Sequence, residues 1–422
     1  MRKITLLASV FLLMSGVLCA QEKDDREARL KALEERLRAL EAEVQALKGC
    51  CAATTVAPPA TTAAPPVVAQ VPAGAPGTPG GPLPVYGGAS ALAKVLNPDI
   101  SVIGDFIGSV GRSPVRPVPA VRPVPALEFH EAEIAFQAIV DPFARADFFV
   151  SLNREGIELE EGYLTFSSLP AGFVARVGKM RAAFGKANAM HNDALSWIER
   201  PLMAENLVAG EDGINDAGLS VTRILPAPKG LFLEGTAQVF RGDSGDLFTA
   251  TRRQDVSYVG HVRGYKDLTE STNVDLGFSY ARGHNDAVLG SSFITQLYGM
   301  DATLRWKPLR RAIYHNLVAR TELVWSRREQ LPALQRAFGF YTSVDYRLNR
   351  RWTVGGRYDR SDRARQSNFT DSGFSALLTY WPSEFSQVRG QYRFARYAEG
   401  RDGNELRFQF LFVLGAHGAH PF

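Results

Sequence analysis

The stretch that decides the fold runs from residue 337 to residue 347 and reads AFGFYTSVDYR. Its two faces alternate, with one formed by Phe338, Phe340, Thr342, Val344 and Tyr346 and the other by Tyr341, Ser343, Asp345 and Arg347. Successive side chains of a β-strand point to opposite sides, so this period of two predicts a strand with one apolar and one polar face. Such a strand suits a sheet that has an apolar medium on one side and water on the other.

The same alternation recurs between about Ile100 and Leu414, in segments of roughly ten residues separated by turn residues, as in transmembrane barrels. A second clear case sets Val274, Leu276, Phe278 and Tyr280 against Asp275, Gly277 and Ser279. We count sixteen segments, at 100–110, 127–140, 143–152, 157–168, 172–179, 216–225, 230–241, 254–265, 273–283, 296–307, 317–327, 337–347, 352–360, 371–381, 385–396 and 404–414. An even number of antiparallel strands predicts short turns at one end and longer loops at the other.

The surroundings of these strands are predicted to be lipid. After Ala20 no segment approaches the ~20 apolar residues that a membrane-spanning helix needs, and a closed barrel is the other structure that satisfies its own backbone in a membrane. A soluble β-sandwich would alternate too, but here aromatic residues lie on the apolar face near strand ends, as in an interfacial belt. They include Trp306, Trp325, Tyr346, Trp352, Tyr358, Tyr380 and Trp381. The predicted fold is an all-β transmembrane antiparallel barrel of about 16 strands, spanning residues 100–422.

Residues 1–20 predict a cleaved signal peptide. Arg2 and Lys3 supply the positive start, and residues 4–17 supply the apolar core. Cys19 raises the alternative of a lipoprotein, but Leu18 is larger than the small residue that such signals carry before the cysteine. The mature protein is therefore expected to leave the cytoplasm.

Residues 21–49 predict a coiled-coil helix. Apolar residues recur there at steps of three and four, at Leu30, Leu33, Leu37, Leu40, Val44 and Leu47. This spacing is the a/d pattern of helices that associate with one another. A single amphipathic helix that docks on the barrel or on peptidoglycan is the alternative.

Residues 50–99 predict an extended linker rich in Pro, Ala, Thr and Gly, which cannot bury a core. Cys50 and Cys51 stand at its start. Adjacent cysteines bond to each other only with strain, which favours interchain disulfides in an oxidising compartment. Free thiols remain the alternative.

The alternation of inward and outward positions along each strand predicts which charged residues face the lumen. The later strands offer Arg305, Arg320, Arg347, Arg357, Arg389, Arg393 and Arg407, and the earlier strands offer Glu131, Glu133 and Asp147. The longest connection, residues 180–215, adds Asp193, Glu199, Glu205 and Asp212. A basic wall then faces an acidic wall and an acidic loop, an arrangement that creates a field across a water-filled lumen. Salt-bridge ladders that stiffen the barrel are the alternative.

The layout of signal peptide, coiled coil, linker and barrel resembles the trimeric sixteen-stranded porins of the phosphate-selective porin O and P family. The resemblance implies a passive channel in the cell outer membrane for small hydrophilic solutes, polar or anionic, with a third loop that folds inward and a periplasmic coiled coil. The final Phe422 matches the aromatic residue that ends outer-membrane proteins, although residues 415–421 intervene after the last strand. Phosphate specificity is not predicted, because lumenal carboxylates accompany the arginines.

Other functions are disfavoured. The net charge of +4 over 422 residues is too small to indicate nucleic-acid binding. His417 and His420 are two potential ligands in the tail, which do not make a metal site, and no cofactor is expected. No nucleophile motif accompanies His261 or His315, so no enzyme is predicted. The alternatives kept are a TonB-dependent-receptor-like transporter, which needs a 22-stranded barrel with a plug, and a structural barrel that tethers the outer membrane through the coiled coil.

Overall fold

The computed structural model describes residues 98–112, 126–288, 291–400 and 402–415, together with the helical residues Glu35 and Arg38. The chain divides into two compact units, Met1–Pro84 and Val85–Phe422, and the second unit contains the strands. The predicted signal peptide, Cys50, Cys51, His417 and His420 lie outside the described residues, as do almost all of the coiled coil and linker.

The described part of the second unit forms sixteen β-strands and one short α-helix. The strands are β1 Asp99–Arg112, β2 Leu127–Asp141, β3 Ala144–Asn153, β4 Gly156–Phe166, β5 Phe173–Arg181, β6 Asn215–Ile224, β7 Leu231–Phe240, β8 Ser257–Thr269, β9 Thr272–Val288, β10 Ser291–Trp306, β11 Asn316–Arg328, β12 Gln335–Arg347, β13 Trp352–Arg363, β14 Gln366–Ser383, β15 Ser386–Arg396 and β16 Asp402–Gly415. The helix, α1, is Leu202–Leu207, and a 3₁₀ turn covers Pro170–Gly172.

The strands form one closed antiparallel barrel. Each strand pairs with its neighbours in the chain, and β1 pairs with β16 to close the sheet. The predicted sixteen-stranded barrel is confirmed, and each predicted segment overlaps one observed strand. The barrel does not fit the 22-stranded transporter that was kept as an alternative. Among the described residues, no helix is long and apolar enough to cross a membrane.

The two faces of the barrel differ as the alternation requires. On β16 the outward residues Leu406, Phe408 and Phe410 are exposed, whereas the inward Arg407 and Gln409 are buried. A soluble sheet would bury its apolar face, but here the apolar face forms the outer surface. We call the end of the barrel at which the chain enters β1 and leaves β16 the terminal end, and the opposite end the loop end.

Three connections at the loop end are only two residues long, as short as the shortest turns at the terminal end. Residues 154–155 join β3 to β4, residues 289–290 join β9 to β10, and residues 364–365 join β13 to β14. The expectation of long loops at this end is therefore wrong for these three connections. The physical reason in the first is local, because Asn153 Oδ1 accepts the backbone N–H groups of Glu155 and Gly156, and Gly156 adopts a φ of 139°.

The closure between β1 and β16 depends on glycines that lie under aromatic rings. A Cβ atom at Gly108 would lie 1.9 Å from the ring of Phe408, whereas a Cβ at Gly390, on the other side of Phe408, would meet no atom within 4 Å. Phe408 pairs with both glycines in the sheet. Its ring thus fills the space that the missing side chain of Gly108 leaves, an aromatic cover known to support sheet glycines.

We expect Gly108→Ala to destabilise the barrel by about 1–3 kcal/mol, because the new methyl group displaces the Phe408 ring. Gly390→Ala is the matched control and should leave stability almost unchanged. The measurement is the midpoint of thermal unfolding in detergent, followed by the heat-modifiable shift in gel mobility. Equal midpoints for the two variants would contradict this account of the closure.

Candidate channel constriction

Residues 182–214, which join β5 to β6, lie inside the barrel, and we call them the inner loop. The first part of this loop gives its backbone N–H groups to side chains of the wall. Ala183 donates to Gln238 Oε1 at 2.7 Å, and Ala187 donates to Glu322 Oε1 at 2.8 Å. Gly185 donates to Ser279 Oγ at 3.0 Å. Side chains of β7, β9 and β11 thereby accept hydrogen bonds from backbone N–H groups that have no regular backbone partner in an irregular segment.

The second part of the inner loop contacts the opposite wall. The Ile198 N–H donates to Gln391 Oε1 at 3.0 Å, on β15. Asn206, on α1, donates through Nδ2 to Asp371 Oδ2 at 3.1 Å, on β14. Since one continuous segment is fixed to strands on both sides, the inner loop crosses the lumen rather than covering its mouth.

A buried apolar cluster joins the inner loop to the wall near the loop end of the barrel. The inner loop contributes the buried Phe184, Trp197, Met203 and Leu207. The wall contributes inward-facing apolar residues near the loop end, which are Val259, Ala281, Leu297, Val324, Ala337 and Tyr341. Trp197 meets the edge of Tyr341 at a ring-centroid distance of 5.3 Å. This cluster was not predicted from the sequence. A signal for it is present, since apolar residues interrupt the polar inward face at the same end of several strands.

Glu199 of the inner loop lies among three arginines of the wall. Its Oε1 is 2.9 Å from Arg357 Nη2, its Oε2 is 3.3 Å from Arg407 Nη1, and Arg393 Nε is 3.7 Å from Oε1. Gln391 Nε2 donates to both carboxylate oxygens, at 2.7 and 2.6 Å. Burial raises the pKa of Glu199, but the charges of Arg393, Arg357 and Arg407 outweigh it and lower that pKa to about 2. The carboxylate therefore stays ionised at physiological pH.

The arginines around Glu199 also have partners on the wall. Arg357 Nε donates to Asp359 Oδ2 at 2.8 Å, and Arg407 Nη2 donates to Glu405 Oε2 at 2.7 Å. Arg389, predicted in the same group, donates to the Trp197 carbonyl at 3.3 Å. Four of the predicted lumenal arginines, at positions 357, 389, 393 and 407, thus lie buried beneath the inner loop.

Other lumenal arginines stay exposed or partly exposed while their carboxylate partners are buried. The side chain of Arg145 is 48% exposed and that of its partner Asp147 is 6% exposed, with 2.7 Å between them. Arg320 Nη1 lies 2.5 Å from Asp345 Oδ2. The side chain of Arg320 is 22% exposed and that of Asp345 is 10% exposed. Both pairs lie in the half of the barrel near the terminal end.

Asp275 repeats this arrangement with three cations. Its fully buried carboxylate lies 2.7 Å from Arg263 Nη2, 3.6 Å from Arg305 Nη1 and 3.1 Å from Lys186 Nζ of the inner loop. The two arginine side chains are 36% and 30% exposed. Positive groups therefore face the water while the negative group lies behind them. Arg305 and Arg320 were predicted from the sequence, but Arg145 and Arg263 were not. Arg145 stands on β3, a strand predicted to belong to the acidic wall, and Arg263 stands on β8, to which no lumenal charge was assigned.

The remaining predicted residues occupy several environments. Arg347 is partly exposed at the terminal end of β12. Asp193 and Glu205 are half-buried within the inner loop, and Asp212 is exposed. Of the two glutamates of β2, Glu133 contacts the inner loop, with its Oε2 2.9 Å from His191 Nδ1, and Glu131 faces Glu160 of β4.

No protein-family model matches the chain. A protein of Aquifex aeolicus (strain VF5), described as uncharacterized, is 28% identical over 385 residues, which is 78% of this chain and 81% of that protein. Its description assigns no activity, so the similarity adds a relative without adding a function.

Three solved structures share the barrel. The anion-selective porin from Comamonas acidovorans has a TM-score of 0.52 at 9% identity, covering 75% of this chain and 99% of that one. OprB of Pseudomonas putida has a TM-score of 0.50 at 9% identity, covering 76% and 95%. The outer membrane channel DcaP of Acinetobacter baumannii has a TM-score of 0.50 at 12% identity, covering 75% and 96%.

These similarities define a class by fold: the chain has the sixteen-stranded barrel of outer-membrane porins. At such low identities the fold alone is shared. Membership of the phosphate-selective porin O and P family stays a prediction.

Proposed function

We propose that this protein is an outer-membrane porin, a passive channel for small polar or anionic solutes that the inner loop narrows. The observation that carries the proposal is the set of lumenal arginines that stay exposed or partly exposed beside buried carboxylates. Exposed guanidinium groups in a low-dielectric tube raise the local concentration of anions. A barrel that only anchored the protein would have no need for such a field.

The proposal includes the parts of the chain outside the barrel. The predicted signal peptide exports the protein, the terminal end of the barrel faces the periplasm, and the predicted coiled coil extends there as the core of a homotrimer. Self-association follows from the heptad spacing of residues 30–47. Lipid surrounds the apolar outer surface, and the coiled coil contacts peptidoglycan.

A sealed structural barrel is the second candidate, and one observation favours it. A buried apolar cluster packs the inner loop against the wall near the loop end, and water does not wet apolar constrictions readily. In that case the coiled coil would tether the outer membrane while the barrel served as its anchor.

Single-channel recording of the refolded full-length chain in a planar bilayer separates the two candidates. A porin gives long-lived conductance steps, in groups of three if the protein is a trimer, and a reversal potential under a KCl gradient that indicates anion preference. Complete absence of conductance from heat-modifiable, folded protein would exclude the channel and leave the tether.

A further inference from the structure

The inner loop meets strands β2 and β4 at a buried group of one histidine and several carboxylates. His191 Nδ1 lies 2.9 Å from Glu133 Oε2 and 3.1 Å from Glu160 Oε2. His191 Nε2, on the other side of the ring, lies 3.8 Å from Glu161 Oε1. The Phe149 ring packs against the imidazole with 4.9 Å between ring centroids. The histidine is therefore fixed in a pocket of acceptor oxygens.

Several carboxyl groups converge on one another and on the imidazole. One nitrogen, His191 Nδ1, faces two carboxylate oxygens at once, although it can carry only one proton. The carboxyl group of Glu131 also faces that of Glu160 closely enough for a hydrogen bond, and Glu131 Oε1 is buried with no hydrogen-bond donor. Two facing carboxyl groups need a proton or a cation between them.

Positive groups also approach these carboxylates. Arg181 Nη2 donates to Glu160 Oε2 at 3.1 Å, and the Arg181 backbone N–H donates to Glu161 Oε1 at 2.8 Å. Arg200 acts on Glu160 and His130 acts on Glu131 through their charges. The side chains of Glu133, Glu160 and His191 are only 5%, 14% and 7% exposed, so water does little to compensate the charge.

We propose that Glu133 Oε2, Glu160 Oε2 and His191 Nδ1 bind one divalent transition-metal ion, of which Zn²⁺ is the reference, and that this ion clamps the inner loop to β2 and β4. The three ligand atoms lie within 4.8 Å of one another. Zn²⁺ holds its ligands at about 2.1 Å, which places neighbouring ligand atoms roughly 3.0–3.4 Å apart for octahedral to tetrahedral angles. The observed 2.9 and 3.1 Å from Nδ1 are close to that spacing.

The surrounding residues fit a metal site better than a purely ionic contact. A metal on Nδ1 leaves the proton on Nε2, the side on which Glu161 lies, and a carboxylate there orients a metal-bound imidazole. Imidazole beside carboxylates favours Zn²⁺ and its first-row neighbours over Ca²⁺ and Mg²⁺, which prefer oxygen ligands alone. The proposal does not depend on the channel function, since binding is a property of the folded barrel.

The test measures Zn²⁺ binding to the folded, full-length protein in detergent after treatment with EDTA. Cys50, Cys51, His417 and His420 are first replaced, by serine and alanine respectively, because those side chains could bind zinc elsewhere. Zinc content per chain is measured by elemental analysis after reloading, and affinity is measured by calorimetry. His191→Ala and Glu133→Gln each remove one ligand. His261→Ala is the matched control, since His261 is another buried lumenal histidine whose Nδ1 contacts Ser279 Oγ at 2.8 Å.

The expected result is one zinc ion per chain in the parent and in His261→Ala, with affinity weakened at least about tenfold in Glu133→Gln and more in His191→Ala. Ca²⁺ should not displace the zinc at equal concentration. A parent that retains no zinc, or a His191→Ala variant that binds as tightly as the parent, would overturn the proposal. If His191→Ala does not fold, the zinc content of the parent and the Glu133→Gln affinity still decide.

Discussion

Glu199→Gln is expected to release the middle of the inner loop from the wall and to destabilise the barrel by about 3–5 kcal/mol, the usual cost of removing one partner from a buried ion pair. The variant keeps the size of the side chain but leaves Arg357, Arg393 and Arg407 without the charge that they share. The lower stability should appear in the midpoint of thermal unfolding. In bilayer recordings the loosened loop should add rapid current fluctuations to otherwise stable open levels.

Asp212→Asn is the control for this prediction. It makes the same chemical change in the same loop, but at an exposed side chain, so stability and current noise should stay near those of the parent. Because the pKa of Glu199 falls from its usual value of 4.5 to about 2, its contribution to stability is complete above about pH 5 and is lost progressively as the pH falls from there towards 2. The difference between Glu199→Gln and the parent should therefore be constant from pH 5 to pH 8. A difference that disappeared within that range would point to another titrating group.

The strands were predictable because their signal is local. In β12, the alternation of Phe338 and Phe340 with polar neighbours needs only adjacent positions, and a slip of one residue would turn every apolar side chain inward. The sequence of each strand therefore determines by itself which face of that strand points outward. Strand ends were less certain, as at β14, which begins at Gln366 where the pattern predicted residue 371.

The inner loop was predictable in position but not in its contacts. Trp197 and Met203 stand in a segment without periodicity, so nothing local indicates that they pack on Tyr341 and Gly339 from distant strands. Only closure of the barrel brings these positions together. The same holds for Glu199, whose arginines follow it by more than 150 residues in the sequence.

The alternation along each strand predicted whether a charged residue faces inward or outward, but not whether the inner loop buries it. Glu133 and Arg357 both point inward, yet both are buried against the inner loop. Arg145, at the terminal end of β3, points inward and stays exposed. The side that a residue faces follows from its own strand, whereas its exposure follows from a segment elsewhere in the chain.

If the protein is a channel, the arginines that remain exposed should set its ion selectivity. We expect the double variant Arg263→Gln, Arg305→Gln to lower the ratio of chloride to potassium permeability by about threefold or more at 0.1 M salt, because two guanidinium groups no longer shield the lumen from the charge of Asp275. Lys186 still pairs with Asp275, so the buried carboxylate keeps one partner. The measurement is the reversal potential under a salt gradient.

Arg360→Gln supplies the control, since Arg360 is an exposed arginine at an outward position of β13 and its loss should leave the permeability ratio unchanged. Salt concentration then separates two causes of any change. Ions screen exposed charges over about 10 Å at 0.1 M and about 3 Å at 1 M, so an effect of the lumenal field should shrink strongly at 1 M. An effect of equal size at both concentrations would mean that the double variant had altered the width of the passage, and the arginines would then be structural supports and not the source of selectivity.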